Sequence, residues 1–301
     1  MDERDEFEFQ EYLIADWREL NSDQLDFIDK KLATEIQKHA EKGDAQAQYF
    51  LATLYTNGFL FDRNFAAAYH WNTLSAKQGN KGAMCALAFL YKHGKGIEKS
   101  DVKCFEWSLR AAEEGDMAAM NNVGLFFLAG EGVSADMLKG IQWMENAGQC
   151  GYSQAYCNLA RFYDAGEYLP EDADKALHFH SLAAEMGNMQ SQYDLGVIYY
   201  EGELVSQNFK KAFQFFNKAA KQGHPDAYFN LGVMYAEGDG VEVDLARSYA
   251  YIKFADLLGA NDTDEALIEI RCELNQEDLA RADFFFKELG QSSSEESEDW
   301  D

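Results

Sequence analysis

Seven glycines stand 36 residues apart: Gly43, Gly79, Gly115, Gly151, Gly187, Gly223 and Gly259. They divide residues 43–258 into six contiguous units without insertion or deletion. A period of this size marks a solenoid, in which each unit buries its apolar face only by stacking on its neighbours. The chain must therefore be read in columns across the units.

The columns recur in phase. Eight residues after each glycine comes Leu51, Leu87, Val123, Leu159, Leu195 or Leu231, and the next position is always small: Ala52, Ala88, Gly124, Ala160, Gly196, Gly232. An aromatic follows at Tyr55, Tyr91, Phe127, Tyr163, Tyr199 and Tyr235, and then a glycine at Gly58, Gly94, Gly130, Gly166, Gly202 and Gly238. In the first unit Ala47, Phe50, Leu51, Leu54 and Tyr55 trace one face of a helix, helix A. The glycine after the aromatic ends it, because glycine takes the left-handed cap conformation without a steric cost. Asn64, Ser100, Asp136, Asp172, Asn208 and Asp244 then open a helix B, each being a side chain that can accept from orphan N–H groups. Helix B carries a small residue (Ala68, Cys104, Gly140, Ala176, Ala212, Ser248), an aromatic (Trp71, Trp107, Trp143, Phe179, Phe215, Tyr251) and a closing Ser75 or alanine. Pro170 and Pro225 fall in a loop and near a helix start, where proline is tolerated.

This pattern resembles the Sel1-like repeat, a subclass of the tetratricopeptide helix-turn-helix family. The segment AYFNLGVMYAEGDGV at residues 227–241 is close to that family's first helix and loop, and AFQFFNKAAKQG at residues 212–223 matches its second. The resemblance implies an all-α, right-handed superhelical solenoid of six 36-residue repeats with helical caps. Repeats 1, 4 and 5 depart from the pattern, with Leu60, Tyr168 and Leu204 at the second loop glycine, so differently shaped loops are expected there. The ends read as an acidic segment (1–21), a capping helix opened by Ser22 (22–42), a C-terminal helical cap (259–289) and a disordered acidic tail (290–301) around the repeats (43–258). The last capping helix is expected from Asn275 to Leu289.

The net charge is −27, of which the repeats carry only −9 through 17 basic and 26 acidic residues. Residues 1–20 contribute −6, residues 259–289 another −6 and the tail −5. Acidic ends keep a long stack soluble and attract a basic partner. Direct contact with nucleic acid needs basic clusters. The one basic run, Lys92, Lys95, Lys99 and Lys103, is interleaved with Glu98 and Asp101 and reads as a solvated edge. No apolar run reaches membrane-spanning length, and Met1-Asp2-Glu3-Arg4 does not read as a secretory leader. Five cysteines, Cys85, Cys104, Cys150, Cys157 and Cys272, show no regular pairing, so free thiols in a reducing, cytoplasmic setting are expected.

Catalytic chemistry is scarce. Gly94-Lys-Gly96, Gly130-Glu-Gly132 and Gly238-Asp-Gly240 follow helices rather than strands and recur as the repeat's own turn, so they are not nucleotide loops. His178 and His180 point to different faces of one helix, and the acidic loop at residues 167–174 lacks the oxygen spacing of a calcium site. The column Asn122, Asn158, Asp194, Asn230 reads as structural. No cofactor, no metal and no enzymatic activity are expected.

The resemblance implies instead a groove lined by the A helices. Its positions fall on three columns: Tyr49, Cys85, Asn121, Cys157, Tyr193, Phe229; then Thr53, Phe89, Leu125, Arg161, Val197, Val233; then Thr56, Lys92, Leu128, Asp164, Tyr200, Ala236. Of these Tyr49, Phe89, Lys92, Asn121, Leu125, Leu128, Arg161, Asp164, Tyr193, Tyr200 and Phe229 are the candidate partner-binding residues. The columns vary while the packing columns do not, as an adaptable surface would, though winding could also bury them. Two functions are expected from the family: a monomeric scaffold or adaptor holding a protein segment in its groove, or an immunity protein that neutralises a basic toxin such as a nuclease.

Overall fold

The computed structural model describes residues 30–202 and 204–295, and every described element is helical. The expected segment at residues 1–21, the opening of the first capping helix at Ser22 and residues 296–301 of the tail lie outside the described residues. The chain divides into two compact units between Tyr152 and Ser153. The first holds α1 (Lys30–Glu41) and three A/B pairs: α2 (Ala45–Asn57) with α3 (Phe65–Ala76), α4 (Lys81–His93) with α5 (Asp101–Glu113), and α6 (Met117–Ala129) with α7 (Met137–Gln149). The second holds three more: α8 (Ser153–Ala165) with α9 (Ala173–Glu185), α10 (Met189–Glu201) with α11 (Phe209–Lys221), and α12 (Pro225–Glu237) with α13 (Leu245–Leu257). It closes with α14 (Thr263–Glu273) and α15 (Gln276–Glu295). α15 thus begins where the last capping helix was expected and runs six residues past Leu289.

The helix boundaries follow from end chemistry. Asn64, Ser100, Asp136, Asp172, Asn208 and Asp244 each accept the backbone N–H three residues on, as their type suggests. Asp44, Asn80, Asp116 and Asn188 do the same for the A helices. Pro225 occupies the first turn of α12, where the missing N–H has no helical partner to lose.

Pairing within a repeat depends on close approach. Ser75, Ala111, Ala147, Ala183, Ala219 and Ala255 are all fully buried. A Cβ placed on Gly196 of α10 would stand 2.5 Å from the ring of buried Phe216 on α11, and one on Gly124 of α6 would stand 2.8 Å from the Gly140 carbonyl of α7. In the first unit Phe50, Leu51, Leu54 and Leu87 fill the core; in the second Phe216, Leu231, Met234 and Phe254 do.

Side-chain amides join successive elements in a fixed register. Gln48 donates to the Ala40 carbonyl (3.0 Å) and accepts from Gln78 (2.9 Å). Gln192, four repeats on, donates to the Ala184 carbonyl (3.2 Å) and accepts from Gln222 (2.7 Å). A cation then seals five of the six A helices to their own B helices. Lys103, Lys139, Lys175, Lys211 and Arg247 lie over Tyr91, Phe127, Tyr163, Tyr199 and Tyr235 at 4.7–5.6 Å from the ring centroids. The C-terminal cap uses the same devices: Arg281 of α15 bonds Asp244 at 2.9 Å, and Phe286 packs edge-on against Phe254.

The expectation of differently shaped loops holds in repeats 1 and 4. The Phe61 N–H donates to the Phe59 carbonyl and the Leu169 N–H to the Glu167 carbonyl, 2.7 Å each, closing tight three-residue turns around Leu60 and Tyr168 that are not seen around Gly96, Gly132 or Gly240. Leu60 and Tyr168 are held there at φ of 59° and 60°, which costs a non-glycine residue about 1–3 kcal/mol.

Two substitutions test this packing. Gly196→Val should destabilise the second unit by at least about 1–3 kcal/mol, because even its Cβ would stand 2.5 Å from the ring of buried Phe216. Leu60→Gly should raise the thermal midpoint or leave it unchanged, since the exposed Leu60 gives up little packing and its strain is relieved. An unchanged midpoint for Gly196→Val, or a clear drop for Leu60→Gly, would refute the assigned contacts.

Candidate partner-binding faces

In the first unit the three expected columns divide into support and surface. Tyr49, Asn121 and Leu128 are buried. Tyr49 fills the space that Gly82 leaves between α2 and α4: a Cβ on that glycine would stand 2.9 Å from its ring. Leu128 packs likewise over Gly140. Tyr49 and Leu128 hold helices together, and all three residues, being buried, present little to a partner. Phe89, by contrast, is 42% exposed. The ring of His93 lies 4.5 Å from it and the Lys95 ammonium 4.7 Å. Lys92 pairs with Glu131 in the loop of the next repeat and lies over Phe126, and Leu125 is half-buried beside them.

In the second unit more of the columns reach the surface. Arg161 and Asp164 on α8 are exposed, while Tyr193, Tyr200 and Phe229 on α10 and α12 are half-buried. Tyr193 stacks on His224 at 4.3 Å and an interplanar angle of 11°. The Tyr200 hydroxyl donates to Asp239 (2.9 Å), and its ring packs on Phe209 (5.2 Å). Both phenols are pushed above their ordinary range: Tyr193 by burial and then by the Asp226 charge, Tyr200 by burial and then by its bond to Asp239. Asp194, Glu201 and Glu237 add to the negative charge around the two rings.

A buried polar cluster beneath this face was not singled out by the sequence reading. His180 of α9 is buried, with Nδ1 at 3.3 Å from Ser191 Oγ and 3.6 Å from Asp194 Oδ2. Burial pushes His180 below its ordinary range against the pull of Asp194 and Asp164, and pushes the Asp194 carboxyl up despite its bond from Gln190. The trio is not aligned as a hydrolase relay. Serine and aspartate approach the same ring nitrogen, whereas a relay needs them on opposite nitrogens. Cys157 and Cys104 are buried thiols whose burial raises their pKa, which weakens them as nucleophiles. Among the described residues no group of three His, Cys, Asp or Glu side chains is placed to hold a metal, and no helix is long and apolar enough to cross a membrane. The one sequence signal for the cluster was Asp194 standing in a column of asparagines.

Comparison with known proteins agrees with the repeat phase. A family profile described as Sel1 repeat matches residues 45–80, 82–116, 118–152, 153–188, 190–224 and 225–255. A search of curated proteins finds no sequence match. Among solved structures, the fold is similar to a Sel1 repeat protein from Oxalobacter formigenes, 26% identical, covering 76% of this chain and 94% of that one with a TM-score of 0.64. More distant similarity extends to the immunity protein Pa5087 from Pseudomonas aeruginosa, 21% identical over 73% of this chain and 83% of that one, with a TM-score of 0.43.

The buried histidines make a pH prediction. Burial also lowers His224, against the pull of Asp226 and Asp194. A histidine lowered in the fold is protonated first in the unfolded chain, so its stabilising effect is present above about pH 6.5 and lost as pH falls. Asp194, raised by burial, works in the opposite sense, since protonation relieves its cost. Lowering the pH from 7.5 to 5.5 should therefore cost the native protein more thermal stability than it costs the His180→Gln/His224→Gln variant. Parallel pH curves for the two would show that neither ring is held neutral.

Proposed function

Because the chain belongs to the Sel1 repeat family, we propose that it is a non-enzymatic interaction scaffold that holds a protein segment against the A-helix faces. The observation that carries this reading is the division of charge in the second unit. Tyr193, Tyr200 and Phe229 stand half-exposed among Asp194, Glu201, Asp226, Glu237 and Asp239. Several of that unit's cations are engaged on the B helices instead: Lys175 with Asp172, Lys211 over Tyr199, Lys218 over Phe215 and Arg247 over Tyr235. Exposed aromatic rings ringed by carboxylates suit a segment carrying Lys or Arg, which gains both ion pairing and cation–π contact.

A basic partner also suits the second reading, stoichiometric inhibition of a basic toxin. The acidic ends of the chain favour it, because long-range attraction speeds capture. The two readings differ in kinetics. An inhibitor needs fast, salt-sensitive association, whereas an adaptor needs only an adequate affinity.

The binding residues are tested with a partner recovered from the native cell. Phe229→Ala and Glu237→Gln should each weaken binding while the far-ultraviolet dichroism stays near the native value. An interface anchor typically costs about 2 kcal/mol or more, a loss of roughly thirtyfold in Kd. Association should slow steeply between 0.05 and 0.5 M salt, as the screening length shrinks from about 14 to 4 Å. Normal binding by both variants would remove the A-helix faces from the interaction, and a flat salt dependence would remove the basic partner.

A further inference from the structure

The Tyr193 ring rests on a histidine that departs from its column. Asp44, Asn80, Asp116 and Asn188 each open an A helix by accepting the N–H three residues on. His224 holds that place before α12 and makes no such bond. The backbone registers the difference. The first hydrogen bond of α12, from the Tyr228 N–H to the His224 carbonyl, is 3.4 Å long, against 2.9–3.1 Å for the same bond after Asp44, Asn80, Asp116 and Asn188. The imidazole stacks instead on Tyr193, at 4.3 Å and 11°. His224 is only 7% exposed, and its Nδ1 is buried without a hydrogen-bond partner.

This arrangement suits a neutral ring. In the protonated ring both nitrogens are N–H donors, so Nδ1 would carry a desolvated, charged N–H with no acceptor. The charge would also stand at the N-terminus of α12, where the helix dipole opposes a cation. The charged groups that act on the ring are Asp226 of α12 and Asp194 of α10, and burial outweighs their pull. From α11 the residue meets the Ala219 carbonyl, which accepts its backbone N–H at 3.1 Å. A proton therefore favours any state that carries the ring into water. We propose that His224 is a pH-sensitive latch, whose protonation breaks the Tyr193 stack and opens the first turns of α12. Its meaning for a partner rests on the reading of this face given above, since Tyr193 and the Phe229 of α12 would part when the latch opens.

The test follows hydrogen–deuterium exchange of the full chain at pH 7.5 and 5.5, corrected for the intrinsic rate. An open ring titrates near 6.5, so a latch that holds the imidazole neutral should open up to about tenfold more at the lower pH. Residues 228–234 should lose protection by that factor relative to α6 and α11, neither of which contains histidine. His224→Asn, which gives this position the side chain that Asn80 and Asn188 carry, should abolish the response. His224→Gln should do the same, and His180→Gln should keep it. Protection in residues 228–234 that changes no more than in α6 and α11 would overturn the proposal. So would a response that survives in both His224 variants. A saturating peptide of alternating lysine and arginine should restore protection at pH 5.5, because it binds the closed face. Acid opening that this peptide does not alter would uphold the latch and remove the basic-segment reading, so the two fail separately.

Discussion

The rest of the architecture depends on how closely helix A approaches helix B. At Gly124, Gly196 and Gly232 a single added carbon would collide with the partner helix, with the Gly140 carbonyl 2.8 Å away in the first case and the Ser248 carbonyl 3.1 Å away in the last. Ala52, Ala88 and Ala160 hold the same position in the other three repeats and are buried, so the column stays small throughout. The consequence is visible along the chain: every A helix from α2 to α12 starts 36 residues after the one before it. Because each repeat must present the same shape to its neighbour, an insertion in one would be felt by the next. The contact thus explains the unbroken period better than any preference of the individual helices.

That constraint applies to some columns and spares others, and function has room only where it is spared. The positions that close the A/B pair are small, glycine, alanine, serine or cysteine, and the aromatics at Tyr91, Tyr163 and Tyr235 are each covered by a cation from the B helix. The groove columns face neither contact uniformly, so their chemistry can change from repeat to repeat. In the first unit Lys95 lies over Phe89 and Lys92 over Phe126, whereas in the second carboxylates surround Tyr193 and Tyr200.

The sequence made the helices, their caps and their phase legible, because those rest on local chemistry: a capping side chain and a glycine in the left-handed region are visible one residue at a time. The candidate surface was legible only in part. Column membership placed Phe89, Arg161 and Asp164 where they are exposed, yet it gave the same standing to Tyr49, Asn121 and Leu128, which are buried. Burial depends on the volume of the neighbouring repeat. Gly82 opens the slot that Tyr49 fills, and no pattern within helix A reports that. Leu60 and Tyr168 were legible as departures from the repeat's glycine loop, but the form the departure takes was not: a tight three-residue turn that holds leucine or tyrosine at positive φ. The glutamine bridges at Gln48 and Gln192 were invisible because each needs three elements to be in place before its amide finds a partner.

One contact shows how the scaffold and its surface are joined. Lys92 reaches Glu131 and Tyr200 reaches Asp239, the same step of 39 residues in two different repeats, one as an ion pair and one as a phenol donating to a carboxylate. Each links an A helix to the loop of the following repeat while lying on the face offered to a partner. A ligand cation approaching Asp239 must share that carboxylate with Tyr200 or displace the phenol. If it displaces it, binding and repeat stacking draw on the same oxygen, and an occupied face would loosen the junction beneath it. If it shares it, the phenol fixes the carboxylate's orientation before the ligand arrives. A carboxylate has room for both, since its two oxygens can accept several hydrogen bonds. Sharing is therefore the less costly course: the interactions that order the repeats then also preorganise the surface, and the ligand meets an acid already held in place.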